Sequence, residues 1–307
     1  MYLDFFKFRE NPFHITPDPD FLFLSPSHNK ALFTISQGIE QRKGLVTVTG
    51  EVGVGKTTIL RSYLEGTDPG RIRIVYLFNA APSFGKLLKQ IVLELGIAAV
   101  DKDSPDLIYS LFLYLGDEHK NDRRVVVIID EAQNLPVETL ERLLMLSNRD
   151  TSQEKLLQII LVGQLEFEDK LNLPELRELK QQIAVSTRIK TLTPDESLAY
   201  IQHRLMIASS FYNQVFTKAS LKRIVKESNG VPRIINVLCD NALITAFGYQ
   251  RKPVDAKIIE EVIKDLRGGP PEPSFNWRIV WVPALVVFCG LVVAASMALL
   301  TTKEISP

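Results

Sequence analysis

A chain of 307 residues is too long for one small domain and suits a large core, a smaller partner domain and an appendage. Thirty-six basic residues balance thirty-six acidic ones, so no global field draws the chain to nucleic acid or an acidic surface, and any such contact must come from a local patch. The two cysteines, Cys239 and Cys289, show no CxxC spacing and no histidine cluster accompanies them, which argues against a disulfide framework and a zinc site.

The N-terminus, MYLDFFKFRENPF, carries acidic residues and a proline where a secretory peptide needs a basic start and an unbroken apolar stretch, so it does not read as an export signal. Ser25 and Pro26, a cap followed by proline at the first helical position, open a helix to about Gln41. From residue 45 to 269, short β-branched runs alternate with helical patterns, the signature of a parallel sheet covered by helices. The strands are predicted at Leu45–Thr49, Ile72–Phe78, Val125–Ile129, Leu157–Val162 and Ala184–Ile189.

The first strand runs into Gly50-Glu51-Val52-Gly53-Val54-Gly55-Lys56-Thr57, which matches GxxxxGK[ST] and is followed by Thr58 and a helical run. The glycines let backbone N–H groups turn inwards around phosphate oxygens at a helix N-terminus. Lys56 would then reach the β and γ phosphates of ATP, and Thr57 would offer its hydroxyl to Mg²⁺. The third strand delivers Asp130 and Glu131 at its C-terminal end, the first suited to hold magnesium through water and the second to polarise an attacking water. A solvated acid at a helix start is the competing reading for Glu131. Gln164 ends the fourth strand at a level where its amide could bridge the attacking water and the γ-phosphate, or serve as a plain turn residue.

After the fifth strand only helices are readable. Thr193 and Pro194 start one, Glu196 completes a capping box, and three more follow to Leu266, which marks a helical second domain. Within it, Gly230-Val231-Pro232-Arg233 opens a helix from which Arg233 could swing over the phosphates; a surface ion pair is the alternative. Lys218, Lys222, Arg223 and Lys226 form a short basic cluster that reads as a solvated helix face. GGPPEPS, residues 268 to 274, has linker chemistry. Ile279 to Thr302 carries no charge, long enough to cross the hydrocarbon core, with Trp277 and Trp281 at belt positions. Lys264, Arg267 and Arg278 outnumber Lys303 across it, which puts the bulk of the chain on the cytoplasmic side. The expected division is thus an N-terminal segment packing on the core (1–43), the α/β domain (44–192), a helical lid (193–267), a linker (268–277), a membrane helix (278–302) and a tail (303–307).

FFKFRENPF, TPDPDFLFLS and His28, then GEVGVGKTT, IIDEAQNL, LLMLSN, KLLQIILVGQLEF, LPELREL, LTPDESLAYIQHRL and GVPRIINVLCDNAL form a long ordered series. Through it the chain resembles the AAA+ ATPases of the general secretion pathway protein A type, in which a cytoplasmic ATPase is joined to a membrane span in bacterial envelopes. GVPRIIN also looks like the lid of origin-recognition and transposition AAA+ proteins. The resemblance implies a P-loop AAA+ fold with an all-α lid, Walker B roles for Asp130 and Glu131, the first sensor position for Gln164 and the second for Arg233. It also implies a homo-oligomer with shared ATP sites. Where the family shows LRxLRQRI, this chain reads LRELKQQI, so the arginine finger stays open between Arg177 and Arg188, either of which could instead be a surface ion pair. Only Thr301 to Pro307 follow the span's core, so the family's cell-wall-binding role does not carry over. The expected function is an ATPase anchored in the bacterial inner membrane that drives or regulates an envelope machine through a partner protein: secretion, pilus or polysaccharide export. The alternative is a DNA-binding AAA+ regulator or loader that uses ATP as an oligomerisation switch. An inactive scaffold is disfavoured because Lys56 and both carboxylates are present.

Overall fold

The computed structural model describes residues 2–16, 18–99, 104–148, 155–209 and 214–268. A short helix α1 (Tyr2–Phe6) and a longer α2 (Pro26–Glu40) precede the first strand, β1 (Leu45–Gly50). Then come α3 (Lys56–Glu65), β2 (Ile72–Leu77), α4 (Phe84–Glu94), α5 (Ser104–Lys120) and β3 (Arg124–Ile129). They are followed by α6 (Val137–Ser147), β4 (Leu157–Gly163), α7 (Leu165–Leu171), α8 (Arg177–Gln182) and β5 (Ile183–Ile189). Four helices end the described chain: α9 (Pro194–Ala208), α10 (Lys218–Ser228), α11 (Pro232–Gly248) and α12 (Ala256–Leu266). Met1–Val262 forms one compact unit and Ile263–Pro307 a second, of which only the end of α12 and the two residues after it are described.

All five strands are parallel, in the order β2-β3-β4-β1-β5. Alternation along each strand explains the layers, because successive side chains leave opposite faces. Val125, Val127 and Ile129 face a core with Leu87, Ile91 and Leu111 of α4 and α5. Val126 and Ile128 face the other core with Ile35 and Ile39 of α2 and Ile59 and Leu60 of α3. Chain reversal at β1, between β4 and β5, opens a crevice at the strands' C-terminal ends, where open α/β sheets bind ligands.

The predicted strands fall within a residue of the observed ones, and Thr193 and Glu196 do form a reciprocal capping box on α9. The N-terminal segment divides: α2 packs on the α/β core through Ala31, Ile35 and Ile39, as expected, whereas residues 2–14 lie on the four-helix part. The Tyr2 hydroxyl donates to Asp240 Oδ1 at 2.8 Å, and Arg9 N–H donates to Ala208 O at 2.8 Å. Arg204, buried on α9, donates to Pro12 O and, at 3.2 Å, to His14 O. The physical reason is aromatic: Phe5 and Phe13 find ring partners in Phe247 and Phe216 of that part. Among the described residues no helix is long and apolar enough to cross a membrane. The predicted span, its tail and the linker from residue 269 lie outside the described residues, as does Cys289. Cys239 is buried, and burial pushes its thiol pKa up.

Candidate active site

β1 ends at Gly50, and the chain loops over five residues before α3 starts at Lys56. Gly53 has φ +82, and a Cβ there would lie 2.7 Å from Arg233 Cβ, so both conformation and close approach require glycine. Gly55, at φ +103, caps α3 and leaves the helix's first N–H groups facing the loop. Lys56 is almost fully buried, and its ammonium donates to Gly50 O at 2.8 Å and Glu51 O at 3.0 Å. Burial holds its pKa below the ordinary lysine value against the pull of Glu131, Asp130 and Glu166.

The third strand sets Asp130 beside this loop. Thr57 Oγ1 donates to Asp130 Oδ2 at 3.2 Å, Tyr76 OH donates to the same oxygen at 2.7 Å, and Glu131 N–H donates to Oδ1 at 2.9 Å. Burial and the Asp130 carboxylate push the Tyr76 phenol pKa up. Glu131 sits in the left-handed region at φ 54, half-buried. Its Oε2 accepts from Gln164 Nε2 at 2.9 Å and closely from Gln133 Nε2.

The structure thus brings Lys56, Thr57, Asp130, Glu131 and Gln164 to the C-terminal ends of β1, β3 and β4. Val52 projects from the loop tip and Thr58 lines the cleft on the first turn of α3. Arg233 reaches the same place: its backbone N–H donates to Gly53 O at 3.2 Å while its side chain is exposed along the cleft. The two arginine-finger candidates do not line it. Arg188 is taken up within the chain by Glu168, with Nε 2.8 Å from Oε1, so the ion-pair alternative describes it. Arg177 stands exposed at the start of α8.

The cleft has a volume of about 390 Å³. Beyond the loop it is walled by the N-terminal segment, with His14, Ile15 and Phe21, and by Tyr200, Arg204 and Asn236 of the helical part. Phosphate-binding groups at one end and a mixed wall that includes the Phe21 and Tyr200 rings at the other suit a nucleotide, phosphates at the loop. His28, on α2, is buried with Nε2 2.8 Å from Val54 O, bracing the loop from behind. Tyr76 and Gln133 were not singled out from the sequence, and for His28 only its place in the family series was. A second cavity of about 440 Å³ beside edge strand β2, lined by Leu64, Pro69 and Tyr114, holds none of these groups.

The residues fit magnesium in one respect that can be checked. Thr57 and Asp130 present adjacent oxygens, the hard donors magnesium prefers, and the described residues hold no cluster of three or more metal-binding side chains that would make a protein-only cage.

Comparison with known proteins agrees with this geometry. A family model described as an AAA domain matches residues 39–171. General secretion pathway protein A of Aeromonas hydrophila is 38% identical over 249 residues, 80% of this chain and 45% of that one. The Mu-like prophage FluMu DNA transposition protein B of Haemophilus influenzae is 29% identical over 144 residues, 46% of this chain and 45% of that one. The chain therefore spans less than half the length of these relatives. Among solved structures, the Aeropyrum pernix ORC1 protein in complex with DNA superposes with a TM-score of 0.61 at 14% identity, covering 84% of this chain and 70% of that one. Cdc6p from Pyrobaculum aerophilum gives 0.61 at 17% identity, over 81% and 70%. These two likenesses establish the fold.

Proposed function

Because the chain belongs to the AAA+ ATPases of the general secretion pathway protein A family, we propose that it hydrolyses ATP to drive or regulate a bacterial envelope machine while tethered to the inner membrane. The observation that supports this most is the convergence of Lys56, Thr57, Asp130, Glu131 and Gln164 at one end of three neighbouring strands. Lys56 neutralises the β and γ phosphates, leaving the loop carbonyls it now holds. Thr57 and Asp130 would hold Mg²⁺, which supplies charge neutralisation between the two phosphates. Glu131 accepts a proton from the attacking water, and Gln164 steadies that carboxylate and the water's approach. Arg233, on the helical part yet bonded to the P-loop through its backbone, reports the nucleotide state. Ile279–Thr302 is the tether, and neighbouring copies share ATP sites through an arginine, for which exposed Arg177 is the better placed of the two candidates.

Glu131→Gln is expected to keep ATP affinity and lose turnover by about 100-fold or more, since the amide keeps the shape and loses the base. Lys56→Ala is expected to weaken ATP binding by about 10- to 100-fold, the loss of charge-assisted hydrogen bonds in a buried loop. Turnover of Glu131→Gln within about threefold of the parent removes that residue from the mechanism.

A second reading, ATP-driven action on DNA, draws on the likeness to the transposition protein and on Lys218, Lys222 and Lys226, exposed along one face of α10. Turnover measured with and without duplex DNA separates the two: strong, salt-sensitive stimulation favours DNA.

A further inference from the structure

Glu131 has a backbone conformation that costs a non-glycine residue on the order of 1 kcal/mol or more and persists only where its surroundings enforce it. The surroundings here are specific. The turn from Glu131 to Leu135 closes through Asn134 N–H to Glu131 O at 2.9 Å and Leu135 N–H to Ala132 O at 3.1 Å. Helix α7 then grips that turn at two points. At its N-terminus Gln164 donates from its side chain to Glu131 Oε2 at 2.9 Å and from its backbone to Gln133 Oε1 at 3.1 Å. Near its C-terminus Lys170 donates to Gln133 O at 3.0 Å and closely to Leu135 O.

Gln133 lies in the middle of this grip. Its Oε1 accepts the Gln164 N–H, which fixes the amide so that Nε2 must face the Glu131 carboxylate. Two amides thereby hold Oε2. Lys170 is not engaged with a carboxylate: burial alone depresses its pKa, and backbone carbonyls satisfy it. A lysine half-buried on carbonyls stabilises one conformation of the turn more than it stabilises the fold at large.

We propose that Gln133 and Lys170 are positioning residues for Glu131, Gln133 orienting the carboxylate by holding one of its oxygens and Lys170 locking the turn that carries Gln133. This rests on the reading of Glu131 as the group that activates water. Neither residue itself lines the nucleotide cleft, and Gln133 reaches it only through Glu131, so both should act on the rate of hydrolysis and not on ATP affinity.

The test uses the full chain reconstituted in vesicles, with kcat, KM for ATP and the affinity for a non-hydrolysable ATP analogue measured on Gln133→Ala, Lys170→Met, Lys170→Arg and Glu131→Gln. Gln133→Ala is expected to lower kcat by about 10-fold or more with analogue affinity within about twofold of the parent. Lys170→Met should show the same split, and Lys170→Arg, which keeps a donor cation, should restore at least half of the parent kcat. The proposal is overturned if Glu131→Gln is inactive while Gln133→Ala turns over within twofold of the parent. It is equally overturned if Lys170→Met loses analogue affinity together with kcat and Lys170→Arg rescues neither, the mark of a merely structural lysine. Should Gln133→Ala fail to fold, the Lys170 pair decides. A Glu131→Gln variant that still turns over sinks the catalytic reading itself, an outcome distinct from both.

Discussion

His28 shows how a single side chain couples a helix to the phosphate loop. Its Nδ1 accepts the Ser25 N–H at 3.2 Å and its Nε2 reaches Val54 O at 2.8 Å, so the ring is neutral with its proton on Nε2. Burial lowers its pKa below 6.5, outweighing the Val54 carbonyl and the Glu196 carboxylate, which favour protonation. The unfolded chain therefore takes up this proton first as pH falls. The stabilising contribution is complete above about 6.5 and is lost as pH drops below it towards the folded value. Between pH 7.5 and 5.5 the parent should lose more denaturant stability than His28→Gln, and equal losses in the two would show that His28 is not the group responsible. Such a tie is not legible in the sequence, unlike the phosphate motif. Gly50 to Thr57 and Asp130-Glu131 are runs of consecutive residues, so their chemistry is written locally. Tyr76 meets Asp130 only because β2 and β3 pair with Tyr76 opposite Ile128, a register no local pattern states.

At the level of elements, the three central strands are readable because a parallel sheet buried on both faces produces near-continuous apolar runs, and the edge strands β2 and β5 because β-branched residues recur along IRIVYL and IAVSTRI. The strand order is not, since nothing in a run such as LVTVTG says that β1 will lie between β4 and β5. The path of residues 2–14 was missed for a related reason: aromatic residues announce burial without naming the partner. Arg204 is the centre of that attachment. Its guanidinium serves Pro12 O, His14 O and the Tyr200 hydroxyl, and it lies 4.7 Å from the centre of the Phe21 ring. Arg204→Met keeps much of the volume, leaves the Pro12 carbonyl without its side-chain donor and leaves the His14 carbonyl to Asn236 Nδ2 alone, at 3.3 Å. A loss of about 2–4 kcal/mol in urea unfolding is expected, together with weaker ATP binding because His14 walls the cleft. A loss under about 1 kcal/mol would mean the segment is held chiefly by its aromatic contacts. Gly230 belongs to the same level: at φ +75, with a Cβ that would fall 2.0 Å from Leu192 O, it lets α10 turn sharply into α11 and brings Arg233 to Gly53.

For the molecule as a whole, the question is whether catalysis and tethering separate. Every residue assigned a chemical role lies within Met1–Val262, one compact unit, whereas the apolar run Ile279–Thr302 lies beyond it. A chain cut after Leu266 keeps all of α12 and is expected to be soluble and to hydrolyse ATP. Its specific activity should rise with protein concentration if copies complete one another's sites, because in solution they must meet by diffusion. Confinement to a membrane plane raises their effective concentration, so the full chain in vesicles should show little such dependence at equal bulk concentration. Turnover per chain measured over a hundredfold range of protein concentration checks this. Activity of the cut chain that is flat across the range means that one copy suffices and the shared-site reading fails. A full chain washed off the vesicles by alkaline carbonate would remove the tether instead, leaving the ATPase assignment intact.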